Sequence, residues 1–114
     1  MAAAASPRAQ TMELIMFERA DCAWCRAWHR DIGPGYDKSA EGHLAPLRRV
    51  DLDGPWPADL PRLGIRYTPT FVLMLCGHES GRLIGYPGAD FFYPKVEALL
   101  VESQKEGKSP GNCG

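Results

Sequence analysis

Apolar residues fall into short runs separated by polar, glycine- or proline-containing stretches, and each run suggests an element. Residues 12–17 (MELIMF) read as a buried strand. Residues 47–52 (LRRVDL) read as a second, with Pro46 before it and Asp53-Gly54-Pro55 after it. The run FVLML at 71–75 predicts a third strand. Gly77-His78-Glu79-Ser80-Gly81 then reads as a turn into a fourth strand at 82–86, giving an antiparallel hairpin. Helical patterning covers residues 22–31 and is expected to stop at Gly33-Pro34-Gly35. A polar helical stretch over 36–43 and a short helix over 57–63, its proline in the first turn, are also expected. Residues 89–102 form the last helix, with Phe92, Val96, Leu99 and Leu100 at helical spacing.

The predicted order is strand, helix, strand, helix, strand, strand, helix. That order defines an α/β fold: a mixed sheet of about four strands flanked by helices, parallel at its start and antiparallel at its end. The 114 residues suit one domain with a modest core. No apolar run approaches the roughly 18 residues that a membrane-spanning helix requires. With 13 Lys and Arg against 14 Asp and Glu, the charge is −1, and no basic footprint for nucleic acid exists. The domain is placed at 12–102. Residues 1–11 are expected to be a disordered tail, or the small-residue remnant of an export signal behind a start methionine. Residues 103–114 are expected to be a flexible tail.

The candidate chemistry lies in the cysteines. Cys22 and Cys25 form a C-x-x-C where the first strand runs into a helix. There the first thiol meets the unpaired N–H groups and positive end of the helix, which favour a thiolate nucleophile. The second lies one turn on, within reach of a mixed disulfide formed on the first. The competing reading is a metal-binding module. It needs further ligands, for which only His29, His43, His78 and Cys76 are candidates. A c-type haem attachment would need His where Arg26 stands. Trp24, between the cysteines, suits partner docking if exposed, whereas Trp28 suits helix packing. His29 is either a proton-transfer group or a solvated surface histidine. Asp21 and Glu18 oppose a thiolate while Arg19, Arg26 and Arg30 favour it, and this balance alone sets no net sign. Cys76 and Cys113 look unlike a pair: one ends an apolar strand as a small core side chain, and the other lies on a glycine-rich tail as an incidental thiol or an intermolecular disulfide, with a sulfur-carrying arm as the remaining alternative.

Residues 62–70 (RLGIRYTPT), the following strand, its glycine-containing turn and Gly85 together resemble the thioredoxin superfamily. The resemblance covers about residues 12–102 and implies a thioredoxin-like fold. It implies that Pro69 is a cis-proline packed against the Cys22–Cys25 pair, with Thr68 offering backbone to an incoming client strand. Segments LIMFE (14–18), CRAWHRD (25–31), APLRRVDL (45–52), YTPTFVL (67–73) and GYPG (85–88) resemble more closely the SoxS-type periplasmic thioredoxin-like proteins of bacterial sulfur oxidation. That family implies a periplasmic, monomeric thiol–disulfide oxidoreductase that reduces disulfides on the Sox sulfur-carrier complex. Its Cys22 attacks, its Cys25 resolves, Trp24, Thr68 and Pro69 bind the client, and no bound cofactor or metal is needed. A membrane or periplasmic thiol donor would supply electrons. An oxidant or isomerase can carry the same motif, so the direction of reaction stays open.

Three departures from the thioredoxin pattern stand out. Ala23-Trp24 replaces Gly-Pro between the cysteines, and Asp21 replaces the tryptophan before the first one. Met16 stands where thioredoxins keep a buried acid that accepts the proton of the second cysteine. Glu18 shares a strand face with Met16, but the sequence leaves the proton acceptor for Cys25 unassigned.

Overall fold

The computed structural model describes residues 12–108 and 112–113. The expectations for residues 1–11 lie outside the described residues. Four strands form one sheet in the order β2-β1-β3-β4: β1 Met12–Glu18, β2 Leu47–Asp51, β3 Thr70–Leu75 and β4 His78–Ile84. β1 pairs parallel with β2 and antiparallel with β3, and β3 pairs antiparallel with β4. The helices are α1 Ala23–Asp31, α2 Gly33–Tyr36, α3 Ala40–Leu44 and α4 Ala89–Ser103, followed by a 3-10 turn at Gln104–Glu106. This is the mixed, helix-flanked, thioredoxin-like sheet that the sequence predicts.

The two central strands, β1 and β3, are buried at every position, which is why they read as continuous apolar runs rather than alternating ones. Their side chains alternate between two packing layers. Leu14, Met16, Phe71, Leu73 and Leu75 face Trp28, Tyr36, Phe92 and Val96 from the helices. Ile15, Phe17, Val72 and Met74 face the other way, onto Leu60 and the half-buried Leu52, Trp56, Leu63 and Ile65. The first layer is helical. The second consists of chain between β2 and β3 that holds no helix or strand.

The structure corrects four local expectations. α1 ends at Asp31, just ahead of Gly33-Pro34-Gly35, as expected, but that segment is not a simple break: it begins the separate short helix α2, with the proline in its first turn, where a missing N–H costs nothing. The helix expected over 57–63 is a single turn closed by the Leu60 N–H donating to the Pro57 oxygen at 3.2 Å. Pro61 has no N–H with which to extend it. The β3–β4 turn is only Cys76-Gly77, both at positive φ (55° and 83°), because Leu75 pairs directly with His78.

The fourth correction concerns the two remaining cysteines, which are neither a core thiol nor an incidental tail thiol. Cys76 and Cys113 form a disulfide, with Cα atoms 5.4 Å apart. Cys76 sits half-buried at the margin of the core. Beside this link, Glu106 accepts hydrogen bonds from Ser80 Oγ and, at 2.9 Å, from His78 Nε2. These contacts hold its carboxyl below the ordinary glutamate value.

Candidate active site

β1 ends at Glu18, three residues of loop follow, and Cys22 caps α1 in an extended conformation. A residue at this position has its side chain turned towards the helix's unpaired donors. The Cys25 N–H donates to Cys22 Sγ at 3.0 Å, and the two sulfurs are joined in a disulfide. Once that bond is reduced, the same donor and the positive helix end face the Cys22 sulfur and favour its anionic form. Cys22 is 8% exposed and Cys25 2%, so an incoming disulfide reaches Cys22 first. Both belong to the buried layer that contains Met16, Trp28 and Phe71.

β3 begins beside this end of β1, since Thr70 pairs with Phe17. The preceding Thr68–Pro69 peptide, which is cis, therefore lies at the same end of the sheet as the one from which α1 departs. Two hydrogen bonds fix the segment: Gly85 N–H to the Pro69 oxygen at 2.7 Å, and Thr70 Oγ1 to the Tyr67 oxygen at 2.7 Å. Pro69 is buried and Thr68 half-buried. Trp24 is 64% exposed and so does not fold over its own helix; Tyr67, at 65%, is a second exposed ring in this region that the sequence reading did not single out. Trp28 is fully buried, packed against Tyr36, Phe71 and Phe92.

The charges around the site are largely committed to one another. Arg26 donates to the Ala20 oxygen at 3.2 Å, Arg19 contacts Asp53 at 3.3 Å, and Arg30 contacts Asp31 at 2.8 Å. Asp31 also accepts from the Tyr86 hydroxyl at 2.8 Å. The bonds from Arg30 and Tyr86 hold the Asp31 carboxyl below its usual range. Burial, then the bond to Asp31, pushes Tyr86 up to about 12.

Met16 is fully buried in the apolar layer. Glu18, two residues on, is also buried but bound at both oxygens. His29 Nε2 lies 2.8 Å from Oε1, and Arg49 Nε donates to Oε2 at 2.5 Å. His29 is one helical turn beyond Cys25, on the same side of α1. The histidine is therefore neither simply solvated nor isolated. The signal for this trio was present as Glu18 on Met16's strand face and His29 four residues after Cys25, but only the β1–β2 pairing brings in Arg49. Among the described residues, no group of three His, Cys, Asp or Glu side chains is placed to hold a metal ion.

A C-x-x-C disulfide capping the helix after a central strand, beside a cis-proline loop on a mixed four-stranded sheet, defines a thioredoxin-fold thiol–disulfide oxidoreductase. No protein-family model and no curated protein matches the chain. Among solved structures it is similar to the periplasmic thioredoxin SoxS from Paracoccus pantotrophus in its reduced form. The two are 42% identical over 81% of this chain and 98% of that chain, with a TM-score of 0.75. Thioredoxins from Fasciola hepatica (20% identity, 81% and 84% covered, TM-score 0.63) and Thermus thermophilus (21%, 86% and 80%, 0.58) share the fold. The chain belongs to the thioredoxin superfamily and, within it, to the family of SoxS-type thioredoxins.

Proposed function

We propose that the protein is a periplasmic reductase of protein disulfides and mixed disulfides, with a sulfur-carrier protein of the Sox system as its client. The observation that carries this reading is the 42% identity to the periplasmic thioredoxin SoxS across 98% of that chain. A second disulfide away from the site, Cys76–Cys113, supports an oxidising compartment.

In this reading the Cys22 thiolate attacks one sulfur of the client disulfide. It forms a Cys22–client mixed disulfide and expels the other client sulfur as a thiolate. Cys25 gives up its proton and attacks Cys22 Sγ, forming the Cys22–Cys25 disulfide and releasing the second client thiolate. Two electrons pass to the client, and a thiol donor restores the dithiol with no bound cofactor. Glu18, held by His29 and Arg49, is the acid nearest in sequence and strand face to the missing acid at Met16, and it takes the Cys25 proton. Trp24 and the Thr68–Pro69 segment receive the client backbone.

The roles separate in a trapping experiment with a disulfide-linked client. Cys25→Ser should accumulate a covalent adduct that dithiothreitol releases, and Cys22→Ser should accumulate none. Equal trapping by both variants would overturn the assignment.

A further inference from the structure

The layer between β2 and β3 leaves a cleft of about 330 Å³ on the sheet face opposite α1, lined by Arg19, Trp56, Arg62, Leu63 and Ile65 among others. Its floor is preorganised. The Trp56 ring stacks on Phe17, with centroids 5.4 Å apart and planes 7° from parallel, and its Nε1 donates to the Leu60 oxygen at 3.1 Å. Arg62 lies over the same indole, 5.5 Å from its centroid, which fixes a planar cation at the rim without neutralising it. No carboxylate among the described residues is paired with Arg62. Arg19 also lines the cleft, and its guanidinium is paired with Asp53 at 3.3 Å. Among the described residues, Arg62 is therefore the cation of the cleft with no carboxylate on it, whereas Arg19 already shares Asp53.

The cleft adjoins the redox site along the chain at both walls. Arg19 accepts the Cys22 N–H at its oxygen, at 3.3 Å, and Ile65 stands four residues before the cis-proline at 69. Apolar surface beside a guanidinium without a carboxylate partner complements a carboxylate carried next to an apolar side chain.

We propose that the cleft at the Arg62–Trp56 stack is a specificity subsite for a protein client bearing an acidic residue next to an apolar one close to its disulfide. This rests on the oxidoreductase reading. The carboxylate pairs with the Arg62 guanidinium, and the apolar neighbour covers Trp56, Leu63 and Ile65.

The test is single-turnover reduction by the pre-reduced full chain, with four substrates. Three are peptides identical except for Glu-Leu, Lys-Leu or Glu-Gly beside the disulfide, and the fourth is uncharged bis(2-hydroxyethyl) disulfide. The Glu-Leu peptide should react roughly tenfold faster than Lys-Leu at low salt, and the gap should narrow at high salt. Arg62→Glu, at an exposed position, should remove that preference and leave the hydroxyethyl disulfide rate unchanged. Arg62→Lys should keep only part of it, since a lysine does not reproduce the planar stack. Equal wild-type rates on Glu-Leu and Lys-Leu would overturn the subsite, as would an equal loss on all substrates in Arg62→Glu. Glu-Gly reacting as fast as Glu-Leu would also overturn it, leaving long-range charge steering alone. Failure of the wild type on the uncharged disulfide would instead overturn the oxidoreductase reading.

Discussion

Replacing both Cys76 and Cys113 by serine should cost far more stability than any surface contact in the same region. The disulfide spans a sequence separation of 37 and closes a loop containing β4 and α4. The chain-entropy relation assigns a loop of that length about 4 kcal/mol at 25 °C. The contacts that remain across the junction, from Ser80 and His78 to Glu106, are exposed to water, and such pairs contribute about 0–1 kcal/mol each. The cross-link therefore dominates. For a domain near 100 residues, about 4 kcal/mol corresponds to a fall in Tm of roughly 15–30 °C.

The measurement is urea unfolding followed by far-ultraviolet circular dichroism, with intact mass confirming that Cys22–Cys25 is oxidised in both proteins. Serine keeps the positive φ of Cys76, so the double variant removes the cross-link and retains the backbone strain. Glycine at 76 with serine at 113 should return about 1 kcal/mol of the loss, because it tolerates that φ. The dependence on urea should steepen as the unfolded chain expands. A loss below about 1 kcal/mol would refute the argument that the link acts by restricting the unfolded chain.

Three shorter predictions concern other parts of the molecule. Glu18→Gln should slow client release from the mixed disulfide about 100-fold near neutral pH and recover towards the wild-type rate as pH rises, the lower end of the ordinary scale for a lost proton-transfer group; stopped-flow pH profiles would show it, and a uniform loss at every pH would argue against proton transfer. Gly42→Ala should destabilise by roughly 3 kcal/mol, because a Cβ there would lie 1.9 Å from the Tyr36 carbonyl oxygen; thermal unfolding measures it. Tyr86, raised to about 12 by burial and by its bond to Asp31, should keep its proton through pH 10 in the folded protein. Its contribution to stability should be complete below its unfolded value near 10 and disappear as pH rises to about 12. Phenolate absorbance of wild type against Tyr86→Phe tests the titration.

The sheet was legible because β1 and β3 are buried on both faces, so their apolar runs needed no tertiary information. The site was legible at Cys22, Cys25 and the segment before Pro69, where chemistry and chain order coincide. Elsewhere the pattern misled for identifiable reasons. Proline ends a helix in its interior but begins one in its first turn, and Pro34 does the latter. The Cys76-Gly77 turn needs positive φ at both residues, a conformation usually announced by Asn-Gly or Asp-Gly. Cysteine connectivity is not encoded in spacing, so Cys76–Cys113 emerges only when α4 returns the chain to the hairpin. The Glu18–His29–Arg49 trio spans β1, α1 and β2 and depends on a strand register that no local pattern specifies.

The same accounting gives a direction for the redox potential. A pair becomes more oxidising as its reduced thiolate is stabilised, which is what separates DsbA, near about −120 mV, from thioredoxin, near about −270 mV. Counted along the sequence, Arg19, Arg26 and Arg30 should assist a Cys22 thiolate. In the fold, Arg26 is bound to the Ala20 oxygen, Arg30 is paired with Asp31 and Arg19 contacts Asp53. The buried acid at the end of β1, Glu18, is balanced by Arg49. That leaves the Cys25 N–H and the helix end as the donors to Cys22, the minimum set any helix-capping cysteine receives. The potential should therefore lie towards the thioredoxin end, fitting a reductase, when measured by intact mass after equilibration in dithiothreitol buffers. Each 30 mV above that end corresponds to about 1.4 kcal/mol of extra stabilisation of the dithiol. A value near −120 mV would demand about 7 kcal/mol from groups already committed elsewhere, and would refute both this electrostatic argument and the reductase direction.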